Sequence, residues 1–351
     1  MEENSLLTTI KDSRPRYRIV TEWVQSTVLQ GNPAGVDSAR PVTVFLPSEA
    51  IESPERRFPV LYCLAPWTSA GRQQMDWEPF KESLPNRLQR LMNDGALKPC
   101  VVVCPDLYTD FGGSQYINSS YLGRHADHIV EELIPYIEAH YPVLKGPPSR
   151  AVFGRSSGGF GALRLAMDRP GTFGAVACHS GDMGFDLLYR RDLVDLCYAL
   201  ARHSGSVSSY LTALRKGPKI GGKDVHILML LGMAASYSPD ASAPEGFRLP
   251  IDPMTGALDA DVWQKWLVHD PVLMMEQAQC REALKQLSYL YLDCGNKDQY
   301  HLHFGMRQLK QKLQGQGIHH QVFEFDDNHS GTSYRYDVSL PLLSQALVHE
   351  G

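Results

Sequence analysis

Nowhere in the 351 residues do eighteen apolar side chains run together; the nearest stretch is the short Ile227-Leu228-Met229-Leu230-Leu231 patch. A membrane-spanning helix is therefore not expected. A basic excess is also missing, since 34 Lys and Arg stand against 39 Asp and Glu, for a formal net charge of -5. With no surplus cations to hold a phosphate backbone, nucleic acid is not an expected partner. The seven cysteines are odd in number, lie mostly inside apolar segments, and read as reduced core residues. Residues Met1 to Leu7 carry early acids and neither a basic nor an apolar leader region, so no signal peptide is expected, and the expected location is the cytoplasm. Gly112-Gly113 is not followed by Lys-Ser/Thr, which removes a nucleotide loop. His301-Leu302-His303 and His125-Ala126-Asp127-His128 lack a third ligand, so neither metal nor cofactor is expected.

What remains is an ordinary globular composition, 43% hydrophobic and 21% charged. Residues 1–16 are polar and read as a loose arm, and residues 17–351 as one domain. Arg18 to Leu29 and Val42 to Leu46 alternate around a Gly/Pro loop and predict an antiparallel hairpin at a sheet edge. Further on the pattern changes to continuous apolar runs: Pro59–Leu64, Cys100–Cys104, Ala151–Phe153, Ala175–Cys178 and Leu287–Leu292. Such runs suit parallel strands covered on both faces. Helical periods separate them at Ala126–His140, Phe304–Leu313 and Pro341–Val348, which predicts an α/β fold with a mostly parallel, doubly wound sheet. From about 183 to 286 the alternation lapses. Two helical patches, near Leu187–Ala201 and Val272–Leu284, flank a Pro-rich loop, and the only strand-like stretch is Val225–Leu231. A helical cap insertion is expected there.

The run Gly154-Arg155-Ser156-Ser157-Gly158 joins an apolar strand to a Gly-opened helix and places a serine on the joint, the sequence form of a nucleophile elbow. A hydroxyl is a poor nucleophile at neutral pH, so Ser156 needs a base, and the base needs an acid to fix its tautomer. His329 is the expected base, because it follows the strand His320–Phe325 through the loop Asp326-Asp327-Asn328. For the acid, the strand ending Asp293-Cys294-Gly295-Asn296-Lys297-Asp298 offers two carboxylates. Asp298 is favoured, lying past the turn, while Asp293 is expected to hold the loop by local hydrogen bonds. Backbone N–H groups of Ser157 and Trp67 are the expected oxyanion donors, Pro66 having none to give. Tyr116, in a Gly-rich loop, is the expected substrate contact. Trp263, Trp266, Met274 and Met275 are expected in the core rather than in an acyl pocket.

These residues resemble the putative-esterase family of α/β hydrolases, which includes S-formylglutathione hydrolases, enterochelin esterases, feruloyl esterases and mycolyltransferases. The resemblance runs from about residue 20 to 345. It rests on Pro59–Leu64, Val101-Val102-Val103-Cys104-Pro105-Asp106, the loop Gly112–Ser119, the elbow, Arg169–Phe173 with Ser180-Gly181, a G-x-x-D match at Gly295–Asp298, and His329. It departs at Ala65-Pro66, where the family commonly has His-Gly or Asp-Gly. What the resemblance implies is an α/β-hydrolase fold and a serine esterase acting on a small-molecule ester or thioester. Two other readings are an acyltransferase with the same triad and a non-catalytic binding protein. Membrane partners are not expected, and a homo-oligomer is left open.

Overall fold

The computed structural model describes residues 17–350; the arm expected over 1–16 lies outside them. Eight strands form one sheet: β1 (Arg18–Gln25), β2 (Ala39–Leu46), β3 (Val60–Leu64), β4 (Val101–Pro105), β5 (Arg150–Arg155), β6 (Ala175–His179), β7 (Tyr289–Gly295) and β8 (Gln321–Phe325). Their order across the sheet is β1-β2-β4-β3-β5-β6-β7-β8. The expected hairpin is present, with β1 and β2 antiparallel from Arg18 opposite Leu46 to Gln25 opposite Ala39. From β4 onward every pairing is parallel.

The apolar runs are explained by what covers each face. Side chains alternate along a strand, so Val60, Tyr62 and Leu64 of β3 enter one core while Leu61 and Cys63 enter the other. The second core is closed by α1 (Leu84–Asn93), through Leu84, Leu88 and Leu91, and by the C-terminal α10 (Tyr336–Ala346), through Tyr336, Leu340 and Leu343. The first core is closed by α2 (Ile134–His140), α3 (Ser157–Asp168) and α9 (Leu302–Gly315). The expected C-terminal helix is there but starts five residues early and takes Pro341 into its interior. Helix α1 was not anticipated, although Ser83 caps it, Pro85 lies in its first turn, and its apolar side chains recur at helical spacing.

The interval between β6 and β7 holds α4 (Leu193–Ala201), α5 (Val207–Lys216), α6 (Gly222–Tyr237), α7 (Ala260–Leu267) and α8 (Ala278–Lys285), with short helical turns between them. It contains no strand of the sheet. Val225–Leu231 is therefore helical, inside α6, and not a strand. The reason lies on its outer side: Ile227, Leu230 and Leu231 are buried at helical spacing, but Val225, Leu228 and Met229 between them are half-buried apolar side chains, so no polar face marks the helix. Helix α8 packs on α3 and so belongs to the layer flanking the sheet. Trp263, Trp266, Met274 and Met275 are buried core residues, as expected.

Glu132 fastens the connection out of β1. It lies in a π-helical turn over His128–Leu133, and its carboxylate accepts from the Ser26 and Thr27 hydroxyls, the Thr27 and Val28 amides and His128 Nδ1. Burial pushes this carboxyl up, but the hydrogen bonds outweigh it and hold the group at about 2 against its ordinary 4.5. Because the folded value is depressed, the stabilisation is complete above pH 4.5 and is lost as pH falls toward about 2. Denaturant melts stepped through that window should show stability falling more steeply with acid in the wild type than in Glu132→Gln; equal slopes would contradict this role.

Candidate active site

The joint between β5 and α3 imposes the first constraint on the site. Ser156 sits there with φ 58 and ψ -129, outside the regions an L residue normally occupies. Its N–H donates to the His179 carbonyl at 2.9 Å and its carbonyl accepts from Phe160 N–H at 2.9 Å, so the strained residue is tied on both sides. The neighbouring glycines follow from crowding: a Cβ on Gly154 would lie 2.5 Å from the Gly158 backbone, and one on Gly158 would lie 2.0 Å from the Leu64 carbonyl oxygen. Ser156 and Ser157 open onto a cleft of about 630 Å³, lined also by His329, Trp67, Arg155 and Asp182.

His329 reaches this cleft from the loop after β8, and Asp298 approaches from the loop after β7. The two meet at 2.7 Å, His329 Nδ1 to Asp298 Oδ2. A carboxylate at Nδ1 fixes the proton on that nitrogen and leaves Nε2 with its lone pair. Nε2 makes no hydrogen bond among the described residues. The ring is held further by Tyr300, edge-on with centroids 4.8 Å apart, and the backbone by Gln299 Oε1, which accepts from His329 N–H at 3.1 Å, and by Arg155 Nη1, which donates to its carbonyl at 3.0 Å. Asp298 is 2% exposed and its Oδ1 accepts from Tyr300 N–H at 2.8 Å.

A family model described as putative esterase matches residues 34–341. The chain belongs to that family. Over 187 residues it is 32% identical to Esterase Rv1288 of Mycobacterium tuberculosis, a match spanning 51% of this chain and 35% of that protein. Over 166 residues it is 27% identical to an endo-1,4-beta-xylanase/feruloyl esterase of Xylanibacter ruminicola, covering 46% of this chain and 21% of the other. The chain thus spans about a third or less of the length of these relatives. Among solved structures, a ferulic acid esterase superposes with a TM-score of 0.61 at 19% identity, over 94% of this chain and 99% of that one. An S-formylglutathione hydrolase from Agrobacterium tumefaciens gives 0.56 at 17%, over 96% and 98%. The fold is the α/β-hydrolase fold.

The loop after β3, expected to supply an oxyanion donor, departs from the family pattern in sequence but is firmly built. Thr68 N–H donates to the Gly112 carbonyl at 2.8 Å, and the Trp67 indole N–H donates to the Phe111 carbonyl at 2.8 Å. The backbone N–H groups of Trp67 and Ser157 have no acceptor among the described residues, and both residues line the cleft. Tyr116 corrects the expectation made for it. It is 5% exposed and does not line the cleft; its hydroxyl donates to the Ala65 carbonyl at 2.6 Å, and its ring fills the space above Gly161. With φ 56 its backbone turns the side chain into the core, where it braces the Ala65-Pro66-Trp67 loop from beneath.

Asp293 holds far more than its own loop. Its carboxylate accepts from His179 Nδ1 at 2.7 Å, from the Tyr291 hydroxyl at 2.8 Å and from Arg335 Nε at 2.8 Å, while His179 Nε2 meets Ser339 Oγ at 2.8 Å. Burial pushes the Asp293 carboxyl up, but His179, Arg335 and Tyr291 reverse the direction and hold it down. This group is sealed, with His179, Asp293 and Ser339 each at most 2% exposed, and it lies away from the cleft. Cleft residues that the sequence did not reveal include Asp182, Tyr189, Met229, Met233 and Tyr300. Apart from the helical burial of α6, no local pattern pointed to them. Among the described residues no group of three or more His, Cys, Asp or Glu is placed to hold a metal.

Gly158→Ala should destabilise the elbow by about 1–3 kcal/mol, because the added methyl meets backbone that cannot turn aside. A thermal melt reads this as a drop of several degrees, and an unchanged melting temperature would contradict the crowding argument.

Proposed function

We propose that the protein is a serine hydrolase that cleaves carboxylic esters or thioesters through an acyl-enzyme. The observation that carries this reading is the Asp298-oriented His329, with Nε2 unpaired, in the same cleft as a serine held on a strained strand-to-helix turn. Ser156 Oγ attacks the acyl carbon and passes its proton to His329 Nε2. The carbonyl oxygen, now negative, is met by the N–H groups of Ser157 and Trp67. When the bond to the leaving group breaks, His329 returns the proton to the departing alcohol or thiol. Water then repeats the sequence, giving its proton to His329 and freeing the acid and Ser156. Asp298 stays ionised throughout and stabilises the imidazolium.

Transfer to an alcohol instead of water would use the same residues. Hydrolysis is favoured because the cleft opens to solvent beside Trp77, which is 74% exposed, so water has access to the acyl-enzyme. The family, the mycobacterial esterase and the feruloyl esterase relative support ester chemistry. The seven free cysteines, six of them buried, support a reducing compartment such as the cytoplasm.

A fluorophosphonate probe should label the wild type, and Ser156→Ala should abolish labelling; labelling that survives would move the nucleophile elsewhere. Asp298→Asn should lower kcat on the order of 10⁴-fold, the scale seen when a triad acid loses its charge. Asp293→Asn should cost mainly stability, read as a lower melting temperature with a much smaller loss of rate. The reverse ranking would transfer the acid role to Asp293.

A further inference from the structure

One charged group in the cleft wall has no part in the proposed hydrolysis. Asp182 follows β6 through Ser180-Gly181 and lines the cleft with Ser156 and His329, 6% exposed. Its Oδ2 accepts from Gln115 Nε2 at 2.9 Å and from the Tyr189 hydroxyl at 2.8 Å. Oδ1 accepts from no group among the described residues, yet it is not one of the sealed polar atoms left without a partner, so it keeps access to the cleft. The charges that act on this carboxyl are His329, which favours its ionised form, and Asp298, which opposes it; burial outweighs both and pushes the group up.

A buried carboxylate without a cation is costly to hold in its charged form. If Asp182 served only to bolt Gln115 and Tyr189 in place, a neutral amide oxygen could accept both bonds at lower cost. The carboxylate adds a second oxygen, and that oxygen faces the cleft. Its direction is fixed, because both donors are themselves immobile. Gln115 sits at φ 53 and also donates to the Tyr237 hydroxyl at 2.9 Å, while Tyr189 packs edge-on against Trp266 with centroids 5.7 Å apart. The residues between β6 and β7 that line the cleft with it are mostly apolar, Leu188, Val225, Met229 and Met233 beside Tyr189 and His226. A rigid acceptor set in an apolar wall selects ligands by one polar group on an otherwise apolar body.

We infer that the cap-side lobe takes a substrate whose apolar chain carries a hydrogen-bond donor, a hydroxyl or an ammonium, which Asp182 Oδ1 accepts. The inference rests on the hydrolase reading for its chemistry but not for its recognition. Binding and turnover can therefore be tested apart.

The test uses p-nitrophenyl-type esters in matched pairs, one member bearing a hydroxyl or an ammonium on the acyl chain, with a second set varied on the alcohol. The ratio of kcat/KM within a pair is read rather than the rate itself, so a general loss of activity in a variant does not affect the result. In at least one set the wild type should prefer the donor-bearing member by about ten- to a hundredfold, the range of one hydrogen bond to a charged acceptor. Asp182→Ala should bring that ratio to within about threefold. Asp182→Asn keeps an acceptor for Gln115 and Tyr189 but turns an amide N–H toward the cleft, so it should lose preference for ammonium while retaining part of any preference for hydroxyl. No preference in either set, or a preference that survives Asp182→Ala, overturns the inference. The same pairs made as inert amides and measured by calorimetry separate the two readings: donor-selective binding without ester turnover would remove the hydrolase and leave the subsite standing.

Discussion

The backbone of Ser156 occupies a conformation that costs free energy on its own, and the structure around it works to prevent its relaxation. Sheet register supplies part of the restraint. Arg155 pairs with His179 across β5 and β6, which brings the His179 carbonyl to the Ser156 N–H. Crowding supplies the rest, since Gly154, Gly158 and Gly159 let strand, helix and the neighbouring β3 and β6 backbones approach within distances that any side chain would block. The outcome is a hydroxyl raised above the carboxyl edge of the sheet, at the start of a helix whose first N–H groups point the same way.

The other participants come from loops that leave adjacent strands at that edge. Asp293 ties these loops together. Through His179 it anchors the strand that restrains Ser156, through its own strand it sets the turn carrying Asp298, and through Arg335 it holds the segment that follows His329. A hydrogen-bonded chain of carboxylate, imidazole and hydroxyl, Asp293-His179-Ser339, thus lies beneath the proposed catalytic residues. The two sets share residue types and differ in access. The upper one opens onto a cleft, whereas the lower one is sealed and has no room for a reacting carbonyl.

Much of this was legible in the residues because parallel strands buried on both faces leave no polar alternation, and runs such as Cys100–Cys104 could be little else. Gly154–Gly158 and the loops ending at Asp298 and His329 were legible for a related reason: local chemistry and chain order place them after strands. Tyr116 lies in a Gly-rich loop that the sequence places near the site, yet two successive left-handed residues, Gln115 and Tyr116, turn it inward. Val225–Leu231 reads as strand-like because half-buried apolar side chains, Val225, Leu228 and Met229, fill the face of α6 that would otherwise be polar and hide its helical period. Asp182 carries no motif at all. Its significance depends on Gln115 and Tyr189, brought to it by the loop after β4 and by the cap, and only the assembled fold shows that one carboxylate oxygen is left over.

The central claim is that Ser156 becomes covalently acylated because the fold makes an ordinary hydroxyl reactive there. Acid quenching during turnover of a slowly deacylating ester, followed by peptide mass mapping, tests this most directly. The acyl mass is expected on the peptide holding Ser156 and on no other. Acylation at Ser157, Cys197 or another side chain, or steady turnover with no acylated peptide, would contradict it.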